Sequence, residues 1–266
     1  MTKRAVVAIA SVKKRDTMMS RNVIDGGNFG SVNSVLNGVL WCATARPLSG
    51  INPNSTSTRS SSKCWMKGIA ERIAFESDTS DPWDWRRIIF TVKGPFPESS
   101  LPQTQYTYFE TDFASISPES PPGGITNPNN APGNIRVGRS VSSLSPAQLL
   151  FVTRGLMRGT RGMDYLDPFL GVPDSENYSI LSDKVTRMRS GNDSALLKDV
   201  KLYHRLGRTI HYADVESGNI TAPAGFSSNS LNTMGDVYIF DMYKQLGGAP
   251  ANLTWNSTTT LYWHER

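Results

Sequence analysis

Hydrophobic and polar residues alternate along several short segments of the chain. In WRRIIFTVK, Ile88, Phe90 and Val92 occupy every second position, and in TTTLYWH, Leu261 and Trp263 do the same. A period of two is what a β-strand with one buried face produces. Similar segments, rich in β-branched and aromatic residues, are found at 4–12, 35–45, 63–76, 178–188, 200–212 and 236–243. About eight strands in one chain predict an all-β sandwich or barrel.

Two long segments interrupt this pattern. Residues 46–62 (RPLSGINPNSTSTRSSS) predict a polar loop, and the proline-rich segment 94–145 predicts irregular backbone that lies outside the sandwich. The segment SPAQLLFVTRGLMRG predicts one short helix, with Ser145 as N-cap and Gln148 closing a capping box. Glycines at 155 and 159 are expected to weaken or end that helix.

Composition supports the all-β prediction. The 266 residues are 38% hydrophobic and only 19% charged, and Ser, Thr, Asn, Gly and Pro are abundant, which suits strands joined by long loops. No apolar run approaches the roughly 18–20 residues that a membrane-spanning helix needs. Cys42 and Cys64 are the only cysteines, and without a metal-binding motif or a secretory signal they are expected to be reduced, packed thiols.

The formal charge of +5 lies entirely in residues 1–21. This segment carries six basic residues and the single acid Asp16, which leaves 22 basic and 22 acidic residues in 22–266. The sequence therefore predicts a basic N-terminal arm at 1–21 and one domain at 22–266. The arm is expected to bind a polyanion, and the alternative is a solvated loop or an edge strand protected by lysines. The basic residues of the arm are Lys3, Arg4, Lys13, Lys14, Arg15 and Arg21.

A second group of basic residues lies in TRGLMRGTRG. Arg154, Arg158 and Arg161 are close together, and no acid occurs between Gln148 and Asp164. Arg154 and Arg158 are four residues apart, so they are expected to share one face of the predicted helix. Unpaired arginines in this arrangement suit phosphate contact, and the alternative is that they pair with acids elsewhere in the chain.

The sequence contains no candidate for catalysis. His204, His211 and His264 have no carboxylate or cysteine at metal-ligand spacing, and none of the common nucleotide-binding, hydrolase or metalloprotease motifs is present. We therefore expect neither an enzyme nor a bound metal or cofactor.

Several of these segments, in their order along the chain, resemble the coat proteins of small circular single-stranded DNA viruses, most of all the genomoviruses. The segments are SVKKRDTMMS, DWRRIIF, ENYSILSDKVTRM, VKLYHRLGRTIHY and the terminal LYWHER. The resemblance covers most of the chain, although each motif alone is only moderately specific. It implies an eight-stranded antiparallel jelly roll, a two-sheet β-sandwich with long loops and one short helix. In this fold the strands at 4–12 and 258–264 are expected to meet in one sheet system, with a shared core of Ile88, Phe90, Ile239 or Phe240, Leu261 and Trp263.

The same resemblance implies a function and partners. Such a protein self-assembles into a small T=1 icosahedral shell of about sixty copies and packages single-stranded DNA through basic residues inside the shell. It is located in the virion, and in the host nucleus during assembly, with host nuclear import factors and a host receptor as further partners and no membrane. The loops at 46–62 and 94–145 are expected to form the outer surface and subunit contacts.

One departure from the family bears on the arm. Genomovirus coat proteins begin with a longer Arg-rich arm than MTKRAVVAIA provides. Either the 1–21 arm is the stub of a longer one, or the capacity of this chain to neutralise a genome is small.

Two other functions compete with the capsid interpretation. A carbohydrate-binding, lectin-like β-sandwich would use exposed aromatic side chains as sugar platforms and would leave the basic arm unexplained; the candidates are Trp41, Trp65, Trp83 and Trp255. An enzyme on a cupin-like barrel would need a His/carboxylate metal cluster.

Overall fold

The structure is a computed structural model that describes residues 11–21, 30–32, 36–48, 56–97, 101, 103, 106–107, 109–112, 134–191, 195–247 and 251–265. Strands dominate these residues, and one short α-helix accompanies them, so the chain is all-β as predicted. The elements are β1 (Val12–Arg21), β2 (Gly30–Val32), β3 (Asn37–Cys42), β4 (Lys63–Ser77), β5 (Trp83–Val92), β6 (Phe109–Asp112), β7 (Asn134–Ser140), α1 (Pro146–Leu156), β8 (Ser179–Met188), β9 (Leu197–His211), β10 (Val215–Ser217), β11 (Ile220–Ala222), β12 (Asp236–Gln245) and β13 (Leu253–Glu265).

The larger of the two main sheets joins both ends of the chain. Its strand order is β6-β7-β1-β13-β4-β9, and β2 also pairs with β13. The pairs β1–β13, β13–β4 and β4–β9 are antiparallel, whereas β1 and β7 are parallel. Val12 lies opposite Glu265, and Leu261 lies opposite Ile69. The first and last described strands therefore meet, and the strand that pairs with β13 is Val12–Arg21. The expected strand at 4–12 lies outside the described part except for its last two residues.

The second main sheet has the order β3-β12-β5-β8, and all its pairings are antiparallel. Its central strands β5 and β12 are buried along almost their whole length. A strand buried on both faces must be covered by protein on both sides. One side of this small sheet faces the large sheet, and the other side lies beneath α1 and the loops around it.

The core between the two sheets is mainly apolar, but it includes buried ion pairs, and one network of these pairs joins the two sheets. Trp41, Ile239, Leu261 and Trp263 belong to one cluster of buried residues drawn from both sheets. Beside it, the Arg87 guanidinium of β5 donates to Glu71 on β4 at 2.5 Å and to both oxygens of Asp241 on β12 at 2.7 and 2.8 Å. The arginine therefore links the two sheets.

The other face of the small sheet forms a second core with the helix. Ile88, Phe90 and Phe240 pack in the same cluster as Leu149 and Val152 of α1. The expectation that Ile88 and Phe90 share a core with Leu261 and Trp263 is wrong, whereas Ile239, the alternative to Phe240, does share that core. The period of two separates the two faces of β5 correctly, but both faces are buried, so the pattern alone does not reveal which face meets the large sheet.

The helix begins as the sequence predicts. The Ser145 hydroxyl accepts a hydrogen bond from the backbone N–H of Gln148, whose side-chain oxygen accepts one from the N–H of Ser145. The helix ends at Leu156, and the chain then turns at Gly159, which has a φ of 81°. A left-handed backbone conformation of this kind favours glycine.

Two further predictions need correction. Residues 12–21 form β1 and are paired with β13, so they belong to the sandwich and not to a separate arm. The segment 94–145 is not wholly irregular, because it contributes β6 and β7 to the large sheet.

Of the polar loop 46–62, residues 49–55 lie outside the described part, and the side chain of Arg59 is buried against Asp214. Both cysteines are free and buried.

Candidate nucleic-acid interface

The outer face of the large sheet is the one broad sheet surface that the described part of the chain leaves uncovered. Along β4 and β13 the side chains alternate strictly between buried and more exposed positions, apart from a bulge on β4 near Lys67. The buried positions face the small sheet, so the alternate positions face outward. The strand pairings define rows of outward residues that cross β1, β13, β4 and β9.

These rows are strongly basic. One row contains Arg15, Tyr262, Gly68 and Arg205, in that order across the four strands. The rows on either side add further lysines and arginines, and the charged side chains in this region are all exposed. We call this surface the basic sheet face; its basic residues are Lys13, Arg15, Lys63, Lys67, Arg72, Lys201 and Arg205.

Acidic residues on the described part of this face lie at one end only. Glu76 and Asp199 are found there, opposite Leu197 and Ala74 respectively. The acids nearest to the basic residues in sequence, Asp16 and Glu71, point inward and are buried. The alternation of β1 and β4 thus places these two acids in the interior and the exposed bases beside them on the outer face. A surface with seven clustered cations attracts polyanions.

The positive charge of the basic sheet face affects the pKa of His264. This residue of β13 lies opposite Lys13 on one side and Trp65 on the other. Partial burial, together with the positive charges of Lys67 and Lys13, lowers the pKa of His264 below its ordinary value. The imidazole is therefore neutral at pH 7 while lysines surround it.

Aromatic side chains lie among the cations. The rings of Trp65 and His264 are 5.3 Å apart between centroids, on neighbouring strands. Tyr203 on β9 extends over Gly68, because a Cβ added at that glycine would lie 2.6 Å from the Tyr203 hydroxyl. The absence of a side chain at position 68 thus leaves the space that the tyrosine occupies. Tyr262, next to Gly68 on β13, is partly exposed.

The structure divides the predicted basic arm. Lys13 and Arg15 are exposed and belong to the basic sheet face, whereas Lys14 points inward and pairs with Glu265 at 3.0 Å. The prediction that Lys14 binds phosphate is therefore contradicted by its burial, since its ammonium also donates to Thr58 and Ser60. Arg21 is the last residue of β1. Lys3 and Arg4 lie outside the described residues.

The arginines near the helix do not form the predicted cluster. Arg154 is in the last turn of α1, but the helix ends before Arg158, so the two do not share a helix face. Arg158 pairs with Glu176 at 3.1 Å, and Arg161 donates from Nε to the carbonyl of Leu166 at 3.2 Å. Arg158 is thus paired with an acid, contrary to the expectation from its sequence neighbourhood. All three side chains are exposed.

Residues suited to other chemistry are not brought together in the described ranges. Within them, no group of three or more His, Cys, Asp and Glu side chains could hold a metal ion. His204 lies 3.5 Å from Glu71 at the inner side of β9, away from His264. No helix within the described ranges is long and apolar enough to cross a membrane.

Sequence reasoning missed most of the basic sheet face. Its signal is present in KCWMKGIAER and in VKLYHRLGR, where Lys63, Trp65 and Lys67, and then Lys201, Tyr203 and Arg205, occupy alternate positions. A period-two pattern of basic and aromatic residues indicates an outward strand face, but only the strand order shows that the two segments are neighbours. A bulge also shifts the pattern between Lys67 and Arg72.

Comparisons with known protein families and with curated proteins found no match for this chain. The functional interpretation therefore depends on the fold and on the basic sheet face.

Proposed function

We propose that the chain is a viral capsid protein that self-assembles into a closed icosahedral shell and packages single-stranded DNA. The basic sheet face is the observation that carries this proposal. It holds seven exposed cations on one side of a molecule whose residues 22–266 have no net charge. A subunit with one basic side is suited to a shell that contacts nucleic acid on its inner surface.

The order of the strands supports an eight-stranded jelly roll. When the short strands β2, β6, β7, β10 and β11 are left out, eight strands remain. They form two four-stranded sheets with the orders β1-β13-β4-β9 and β3-β12-β5-β8. The chain passes between the sheets, and its first and last strands are neighbours. These features support an arrangement of two Greek keys wrapped into a sandwich. The resemblance to genomovirus coat proteins implies the same fold.

Jelly rolls also occur in lectins and cupins, so the fold alone does not choose the function. The lectin alternative needs exposed tryptophans, but Trp41, Trp83 and Trp255 are at most 1% exposed, and Trp65 alone of the four candidates is accessible. Carbohydrates are mostly uncharged ligands, so a sugar-binding surface gives no reason for seven cations. The cupin alternative needs a metal-binding cluster, and the described residues supply none.

The side of the molecule away from the basic sheet face supports contacts between subunits. Leu170, Val172 and Val185 line one open cavity of about 300 Å³ beside the small sheet. Leu170 and Val172 are 79% and 64% exposed. Exposed apolar patches are typical of protein–protein contacts. Assembly would bury them without covering the basic sheet face.

Two triple variants test which arginines and lysines contact the genome. Lys67→Ala/Arg72→Ala/Arg205→Ala removes three cations of the basic sheet face, and the matched control Arg154→Ala/Arg158→Ala/Arg161→Ala removes the three exposed arginines near α1. For the first variant, the slope of log affinity for single-stranded DNA against log salt should fall by about 0.7 per lost contact. Particles of that variant should protect less DNA from nuclease than particles of the control. Equal slopes for the wild type and the first variant would refute the role of the face.

A further inference from the structure

Trp65 is exceptional among the tryptophans of this chain. It is 39% exposed, whereas the other five, all within the described residues, are at most 4% exposed. Burying an indole stabilises a fold substantially, and an exposed one contributes little to the core. Trp65 lies on the basic sheet face, two residues from Lys67 along β4 and in the same row as Lys13, from which it is separated by His264 of β13.

The neighbouring aromatic side chains extend this apolar surface over three strands. Trp65 and His264 form a tilted pair across β4 and β13. Tyr203 is 53% exposed and lies over Gly68, three residues along β4 from Trp65. Gly68 contributes to this arrangement directly, because any side chain there would displace the tyrosine ring. The result is a set of rings that project from a rigid sheet and are surrounded by cations.

Each part of this surface matches a part of an unpaired nucleotide. Aromatic rings stack on bases of any sequence, and lysine and arginine side chains neutralise phosphates. In a duplex the bases are already stacked and paired, so their faces are not available to Trp65 or Tyr203. Phosphate contacts alone would not distinguish the two forms of DNA, whereas stacking does.

We infer that Trp65, His264 and Tyr203 stack on unpaired bases of single-stranded DNA while the surrounding lysines and arginines hold its phosphates, so that the basic sheet face selects single strands over duplex. This inference rests on the proposed function and adds the mode of recognition to it. The site is not sequence-specific, because stacking is possible for every base.

A second property follows from the position of His264. Partial burial and, after it, the positive charges of Lys67 and Lys13 lower the pKa of this histidine in the free protein. Phosphates bound near Lys67 and Lys13 offset that positive charge, so the pKa of His264 should rise when DNA binds. An NMR titration of the imidazole with and without oligo(dT) measures this change without depending on stability.

The decisive comparison uses oligo(dT) and an abasic oligonucleotide of equal length. The two have the same phosphates, but the second has no bases to stack. The wild type should bind oligo(dT) more tightly, and its tryptophan fluorescence should be quenched because Trp65 is the accessible indole. Trp65→Leu should weaken oligo(dT) binding by about 5- to 140-fold and leave abasic binding and the salt slope unchanged. Trp65→Phe should restore most of the lost affinity.

Other variants keep the test independent of folding defects at position 65. Tyr203→Leu should lower the preference for oligo(dT), and Lys67→Ala should lower the salt slope without changing that preference. If the wild type binds both oligonucleotides equally and its fluorescence does not change, stacking is refuted while packaging through phosphates stands. If the wild type binds neither oligonucleotide at low salt, the proposed function itself is refuted.

Discussion

Lys14 of β1 and Glu265 of β13 form a buried ion pair in which Nζ and Oε2 are 3.0 Å apart. The carboxylate also accepts hydrogen bonds from the Ser60 hydroxyl and from Trp263 Nε1. Burial alone would raise the pKa of Glu265, but the hydrogen bonds from Ser60, Trp263 and Lys14 hold it below its ordinary value. The pair therefore joins the first strand, the last strand and the loop before β4.

Lys14 should consequently contribute to stability and Lys13 to DNA binding, although the two residues are adjacent in sequence. Lys14→Met should lower the free energy of unfolding by about 3–5 kcal/mol, because Glu265 would remain buried without its cation. The control Lys13→Met, on the outer face, should change it by less than about 0.5 kcal/mol and weaken DNA binding instead. Denaturant unfolding and a DNA-binding titration measure both effects. Similar losses of stability in the two variants would contradict the buried position of Lys14.

Asp236 should make stability depend on pH. Its carboxylate accepts from the Ser227 N–H at 2.7 Å and from the Thr44 hydroxyl at 3.2 Å, yet burial dominates and raises its pKa to about 6. A pKa raised on folding means that the protonated form stabilises the protein. This contribution is full below the unfolded value of 3.8 and is lost as pH rises through about 6. The contribution of Asp236 to the free energy of unfolding is at most about 3 kcal/mol.

Asp236→Asn tests this dependence, because asparagine keeps the shape of the side chain and does not titrate. In the wild type, the free energy of unfolding should fall between pH 4.5 and pH 7 by more than it does in the variant. Urea unfolding at several pH values gives both curves. Parallel curves for the two proteins would show that Asp236 does not titrate in this range.

Arg87 and Arg187 provide a comparison between a buried and an exposed arginine. Arg87 joins Glu71 and Asp241 between the sheets, whereas Arg187 pairs with Asp84 at the sheet edge and its side chain is 51% exposed. Arg87→Met should cost about 3–5 kcal/mol, since two carboxylates lose their partner in the core. Arg187→Met should cost no more than about 1 kcal/mol. Thermal unfolding of both variants measures the difference, and equal costs would argue against a buried network.

The strands and the helix could largely be predicted from the sequence. The capping box at Ser145 and the alternation around Leu261 are local signals, and local signals are preserved in the fold. The face of β5 that meets the large sheet could not be predicted, because both of its faces are buried and alternation no longer marks the interior.

The site was predicted less well for a related reason. A run such as KKR suggests one basic surface, but successive residues in a strand point to opposite sides, so Lys13 and Arg15 face outward and Lys14 inward. Arg72 and Lys201 are far apart in sequence and become neighbours only through the pairing of β4 with β9. Clusters built by long-range strand pairing leave no contiguous motif in the sequence.

Electron microscopy of the purified protein, mixed with single-stranded DNA at physiological salt, tests the proposed capsid function most directly. We predict closed particles of uniform size that protect the DNA from nuclease, and the Lys67→Ala/Arg72→Ala/Arg205→Ala variant should form particles with less protected DNA. Subunits that stay monomeric at high concentration, with or without DNA, would contradict the proposal that this chain forms a capsid.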